Sequence, residues 1–125
     1  MGVWILMLCV NLILPPIMLC FGFLWIKKPP TAINSVYGYR TKMSMKNEET
    51  WAFAHKHSGR LMRVLGVATF VFAVVIMLFV ISSDETTIIF LGVAVQFLPI
   101  ILLCVSIGLT QRALRQEFDE DGNRR

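Results

Sequence analysis

Three long runs without a single charge dominate this sequence: Val3 to Ile26, Val64 to Ile81 and Ile88 to Thr110. They hold 24, 18 and 23 residues. About 20 apolar residues, rising about 1.5 Å each, cross a hydrocarbon layer of about 30 Å. All three runs therefore read as transmembrane helices, the second near the lower limit. Buried core helices of a soluble domain are the alternative, and composition argues against them. Apolar residues make up 56% of the 125 and charged residues 16%. A chain this small has too little other material to bury three such runs. The same numbers exclude a disordered chain and an ordinary soluble enzyme. The fold class that follows is all-α: an integral membrane protein in one domain, residues 1–125. Its spans are residues 3–26, 64–81 and 88–110, with a loop over 27–63 and a tail over 111–125.

A cleaved signal peptide is the rival reading of the first run. It needs a basic start, a shorter apolar stretch and a small-residue cleavage site. Only Met1 and Gly2 precede this run, so it reads as a retained span.

The net charge of +4 suggests nucleic acid or an anionic membrane surface. Placement decides. Residues 27–63 carry eight Lys and Arg, the tail carries four, and the link Ser82 to Thr87 carries none. Basic residues mark the cytoplasmic side of spans. The loop and tail are expected in the cytoplasm, the N-terminus and the acidic link outside. Every basic residue is then explained by topology, and no direct nucleic-acid partner is expected.

Within the spans, Pro15-Pro16 should kink the first helix and Pro99 the third. Asn11 and Gln96 are the deepest polar residues and should face another helix. Trp4 and Trp25 bracket the first span as belt residues. Asp84 or the Ser82-Ser83 pair can cap the third helix. Cys9, Cys20 and Cys104 lie in apolar runs, are odd in number and form no CxxC, so they read as small buried hydrophobes. No ionisable residue lies within a span, which weakens an ion-pump reading.

The long loop carries the most information. Lys28-Pro29-Pro30 ends the first helix. Thr31 to Thr41 has β-branched and aromatic residues without a helical period and reads as extended or turned. Gly38 between Tyr37 and Tyr39 suggests a positive φ or close packing. Arg40 offers a planar donor fork for a carboxylate, a phosphate or helix-end carbonyls, or a bridge to Glu48 or Glu49. Ser44 or Asn47 is the expected N-cap of an amphipathic helix running into the second span. Trp51, Ala54, Ser58, Leu61 and Met62 recur on its apolar face with His55, and Gly59 is a candidate bend. His55 and His57 are two apart and point to different faces, so no metal site is expected. The motifs of common enzymes are absent.

Asn34, the run Tyr37-Gly38-Tyr39-Arg40-Thr41, Ser44-Met45, Trp51, Ala54 and Gly59 together resemble the pattern of the SdpI family of bacterial membrane proteins. His55 departs from it, where the family often has asparagine. The namesake is an immunity protein against a peptide toxin and a signalling receptor that holds a repressor at the membrane. It has further spans, so this chain corresponds to its three-span module. The resemblance implies a non-enzymatic protein of the bacterial cytoplasmic membrane without cofactors. Its implied role is immunity against a membrane-active peptide, membrane signalling by sequestering a regulator, or both. The implied site, binding a ligand or partner or forming a structural cap, is Asn34, Tyr37, Gly38, Tyr39, Arg40, Thr41, Ser44, Met45, Trp51, His55 and Gly59. The partners to expect are the lipid bilayer, a peptide toxin, a cytoplasmic transcriptional regulator and further copies of the chain. A small transporter or lipid-handling protein is the alternative, since kinked helices with internal polar residues can line a path.

Overall fold

The computed structural model describes residues 1–30, 33–34 and 37–125. Thr31, Ala32, Ser35 and Val36, part of the loop read as extended, lie outside the described residues. Among the described residues the chain forms four helices: α1 (Gly2–Asn11), α2 (Leu14–Lys27), α3 (Glu48–Phe79) and α4 (Glu85–Glu117). Three segments are long and apolar enough to cross a membrane: Gly2–Lys27, Glu48–Phe79 and Glu85–Glu117. The all-α, three-span architecture is thus present.

The first segment breaks at Leu12 and Ile13, between α1 and α2. Pro15 and Pro16 lack the N–H groups that would bond back one turn, so the ladder fails just before them. The break has a packing consequence. α1 lies mainly against α4, whereas α2 lies against α3. A kink lets one span serve two neighbours. Pro99 is accommodated differently: it is buried inside α4, which continues unbroken.

α3 starts on a capping box. Asn47 Oδ1 accepts the Thr50 N–H and Thr50 Oγ1 accepts the Asn47 N–H. From there a buried stripe runs the length of the helix through Trp51, Ala54, Ser58, Met62, Gly66, Thr69, Ala73 and Met77. Gly59 lies inside α3, which continues through it. It sits where α3 crosses α2, and a Cβ there would come within 3.0 Å of the Gly22 carbonyl oxygen. A Cβ on Gly22 would meet the Arg63 backbone nitrogen at 2.8 Å. The two helices touch backbone to backbone, as small residues permit between membrane helices. At the α3–α4 link, Asp84 is the N-cap residue of α4 and accepts the Thr87 hydroxyl.

The polarity of the packing is inverted relative to a soluble bundle. Asn11, Ser58, Thr69 and Ser106 are buried, while Val64, Phe70, Phe79, Phe90 and Phe97 cover the outside. All three cysteines are on this outer surface, which corrects their reading as buried groups. Trp25 is corrected in the opposite sense: it is 8% exposed, packed in the core rather than in an interfacial belt. Trp4 is half-buried and donates to the Met77 carbonyl at 2.7 Å.

α3 and α4 are each about 50 Å long, well beyond a hydrocarbon layer of about 30 Å. Both extend past the apolar stretch at their basic end. The expected tail is therefore partly helix, since α4 runs on to Glu117. The remainder folds back instead of standing free in solvent. Phe118 is fully buried and bridges to Arg124. Arg124 pairs with Glu49 and Glu117. Asn47 Nδ2 donates to the Gly122 carbonyl at 2.7 Å.

Candidate functional site

The loop residues gather over the basic ends of α2, α3 and α4. Gly38 makes the turn that brings them in, with φ of 117°. A side chain there would be strained and would press into His55 and Trp51, with a Cβ only 2.6 Å from His55 Nε2. The next residue makes the central bond. The Tyr39 N–H donates to His55 Nε2 at 2.8 Å, and His55 Nδ1 lies 2.8 Å from the Trp51 carbonyl. A carbonyl only accepts, so the Nδ1 proton sits toward Trp51 and Nε2 is the bare acceptor. His55 is completely buried between Trp25 and Trp51, with ring centroids 5.0 and 4.4 Å away. Burial lowers its pKa, opposed by the bond to Trp51.

Around this centre, Trp51 Nε1 donates to the Pro30 carbonyl at 2.7 Å, fastening the loop where it leaves α2. Trp25 Nε1 donates to the Tyr37 phenol oxygen at 3.2 Å. The Tyr37 N–H donates to Asn34 Oδ1 at 2.7 Å. The Tyr39 phenol reaches across to donate to the Ile107 carbonyl of α4 at 3.2 Å. Its burial pushes its pKa up to about 12. Tyr37 is exposed and Tyr39 buried, so only Tyr37 offers a ring to the surface. The Thr41 N–H donates to Ser44 Oγ, and that hydroxyl reaches the Tyr39 carbonyl at 2.9 Å. The Thr41 hydroxyl extends to Gln111 Oε1 of α4 at 3.2 Å. Ser44 is thus a buried loop brace and Asn47 the N-cap.

Ten of the eleven predicted site residues lie at this end among the helix ends and the loop. Gly59 lies about one turn beyond His55, at the α2 crossing. Met45 is half-buried and its N–H donates to the Thr41 carbonyl at 3.1 Å. Arg40 is exposed on the rim. Of the two carboxylates read as partners for Arg40, Glu49 pairs with Arg124 of the tail. Beneath Arg40 lies a cavity of about 240 Å³ walled by Gly38, Tyr39 and Thr41, by Ser58 and Met62 of α3, and by Ser106 of α4. Sequence reasoning missed Trp25, Ser106, Ile107 and Gln111 as parts of this assembly. Gln111 carried a signal, as the first polar residue after the third apolar run. Ile107 carried none, because only its backbone carbonyl takes part.

Among the described residues no group of three His, Cys, Asp or Glu could hold a metal ion. His57 faces α4, with Nδ1 3.1 Å from the Thr110 hydroxyl, and stacks on Phe53.

The loop, α3 and most of α4 coincide with a known sequence family. The SdpI/YfhL protein family matches residues 31–107, more than half of the chain. The chain belongs to the SdpI/YfhL family. It is 43% identical over 51 residues to the uncharacterized protein YfhL of Bacillus subtilis (strain 168). That match covers 41% of this chain and 46% of YfhL, so the shared stretch spans about half of the relative. No solved structure matches. Family membership and three membrane-length helices make this a multi-pass SdpI/YfhL membrane protein.

Proposed function

We propose that this chain is a non-enzymatic protein of the bacterial cytoplasmic membrane that protects the cell against a membrane-active peptide. Its spans are residues 3–26, 64–81 and 88–110, the loop 27–63 and tail 111–125 face the cytoplasm, and the N-terminus faces outward. The observation that carries the reading is the cap itself. Polar groups of the family motif tie the loop to α2, α3 and α4, and Arg40 is an exposed residue lining a cavity beside them. Such a fastening resists separation of the helices by an inserting peptide, and the Arg40 guanidinium adds a planar donor fork at the surface of the cap. Signalling is the second reading. The eight Lys and Arg of the loop give the cap a positive face suited to an acidic cytoplasmic regulator.

The test is survival of a sensitive bacterium expressing the chain and dosed with a membrane-depolarising bacteriocin. Wild type should protect, and Arg40→Ala should lose protection while still inserting at normal levels. Equal protection by the variant would remove Arg40 from the site. No protection by either protein would reject immunity to that peptide and leave the signalling reading.

A further inference from the structure

One hydroxyl in the cavity beneath Arg40 keeps its proton unspent. Tyr39, Thr41, Ser58 and Ser106 all line that cavity of about 240 Å³. Three of the four donate within the chain. The Tyr39 phenol donates to the Ile107 carbonyl, the Thr41 hydroxyl to Gln111 Oε1, and the Ser106 hydroxyl to the Leu103 carbonyl at 2.7 Å. Trp25 Nε1, on the same wall, is spent on Tyr37. Among the described residues no group accepts from Ser58 Oγ, although Ser58 is only 2% exposed. A buried hydroxyl without a partner is costly, so the cavity calls for a ligand atom that accepts a hydrogen bond.

Depth and lining say what kind of atom. The α4 wall, Leu103 to Ile107, lies in the third apolar run, and Trp25 lies in the first. Ser58 stands on the other side of the boundary, ahead of Arg60 and Arg63 on α3. The cavity therefore straddles the edge of the hydrocarbon layer, the depth at which acyl chains join their headgroups. An acyl ester brings carbonyl acceptors and no donor, which matches a wall with one donor to offer. A peptide segment would bring an N–H with nearly every carbonyl. Trp25, Met62, Leu103 and Ile107 give the attached chain an apolar surface. We propose that this cavity seats the glycerol ester of a diacyl phospholipid from the surrounding bilayer. Ser58 Oγ–H donates to the ester carbonyl, and the acyl chain runs down α4 past Leu103. This lipid site is independent of what the cap protects against.

The test uses the full chain, purified in detergent and titrated with dioleoyl phosphatidylglycerol or its dialkyl ether counterpart. The ether has the same head but no carbonyls. Native mass spectrometry counts the bound lipid. Wild type should hold one diester lipid roughly fivefold more tightly than the diether, the worth of one hydrogen bond. Ser58→Ala should bind the two lipids equally. Its melting temperature without lipid should match wild type, because the hydroxyl makes no bond within the chain. Ser106→Ala should keep the preference, since that hydroxyl is spent on Leu103. Equal binding of both lipids by wild type would show that Ser58 meets only water, and overturns the proposal. A preference that survives in Ser58→Ala overturns it as well, because another group then reads the ester.

Discussion

Replacing His55 by alanine should loosen the loop far more than it disturbs the helices. Two losses combine. The Tyr39 N–H, now bonded at 2.8 Å to His55 Nε2, is left buried without an acceptor. Such an orphan costs about 1–3 kcal/mol. The ring also leaves its place between Trp25 and Trp51, with contacts worth about 0.5–1.5 kcal/mol for each aromatic pair. Together the change is about 3 kcal/mol, or roughly a hundredfold in the population of the opened loop. Hydrogen exchange in detergent micelles reads this directly. Peptides covering residues 37–44 should exchange about a hundredfold faster in His55→Ala, while those from the apolar stretch of α3 keep their protection. Unchanged exchange over 37–44 would refute the assignment of His55 as the anchor. Equal acceleration along all of α3 would show that the histidine supports the helix and not the loop.

Two further predictions concern pH and helix crossing. Burial lowers the pKa of both histidines, assisted at His57 by the Arg60 charge. The unfolded chain then takes up protons near pH 6.5 while the folded chain resists them. The stability is fully present above that pH and is lost as pH falls below it toward the lower folded values. Melting temperature in micelles should therefore drop between pH 7.5 and 5.5, and drop less in His55→Ala; a flat profile would contradict the buried neutral rings. At the α2–α3 crossing, Gly22→Val should destabilise by about 1–3 kcal/mol, because its Cβ meets backbone atoms that cannot move aside. Gly108→Val, where a Cβ meets nothing within 4 Å, should leave the melting temperature nearly unchanged, and similar losses at both sites would argue against the close crossing.

The three spans were legible because hydrocarbon thickness fixes a length that charge-free runs either meet or miss. The break in the first helix followed from Pro15-Pro16, and the positive φ of Gly38 from its place between two tyrosines. Less could be read about which polar atoms meet. Tyr39 and His55 are sixteen residues apart, and nothing in either marks the other. A tryptophan at the end of an apolar run suits a belt or a core equally, so Trp25 was placed wrongly. The cysteines were misread because burial rules for soluble cores invert in lipid, where small apolar residues are at home on the outside. The docking of the tail was not legible either: Phe118 buries itself and Glu49 receives Arg124, pairings that only the fold creates.

The central claim is that this chain alone, through its cap, protects a bilayer. Purified protein in vesicles carrying a potassium diffusion potential tests it, with a membrane-depolarising bacteriocin added outside. Vesicles with wild type should hold their potential at doses that collapse empty ones, and vesicles with Arg40→Ala should collapse like the empty set. Collapse of wild-type vesicles at the same dose as empty ones would contradict the claim.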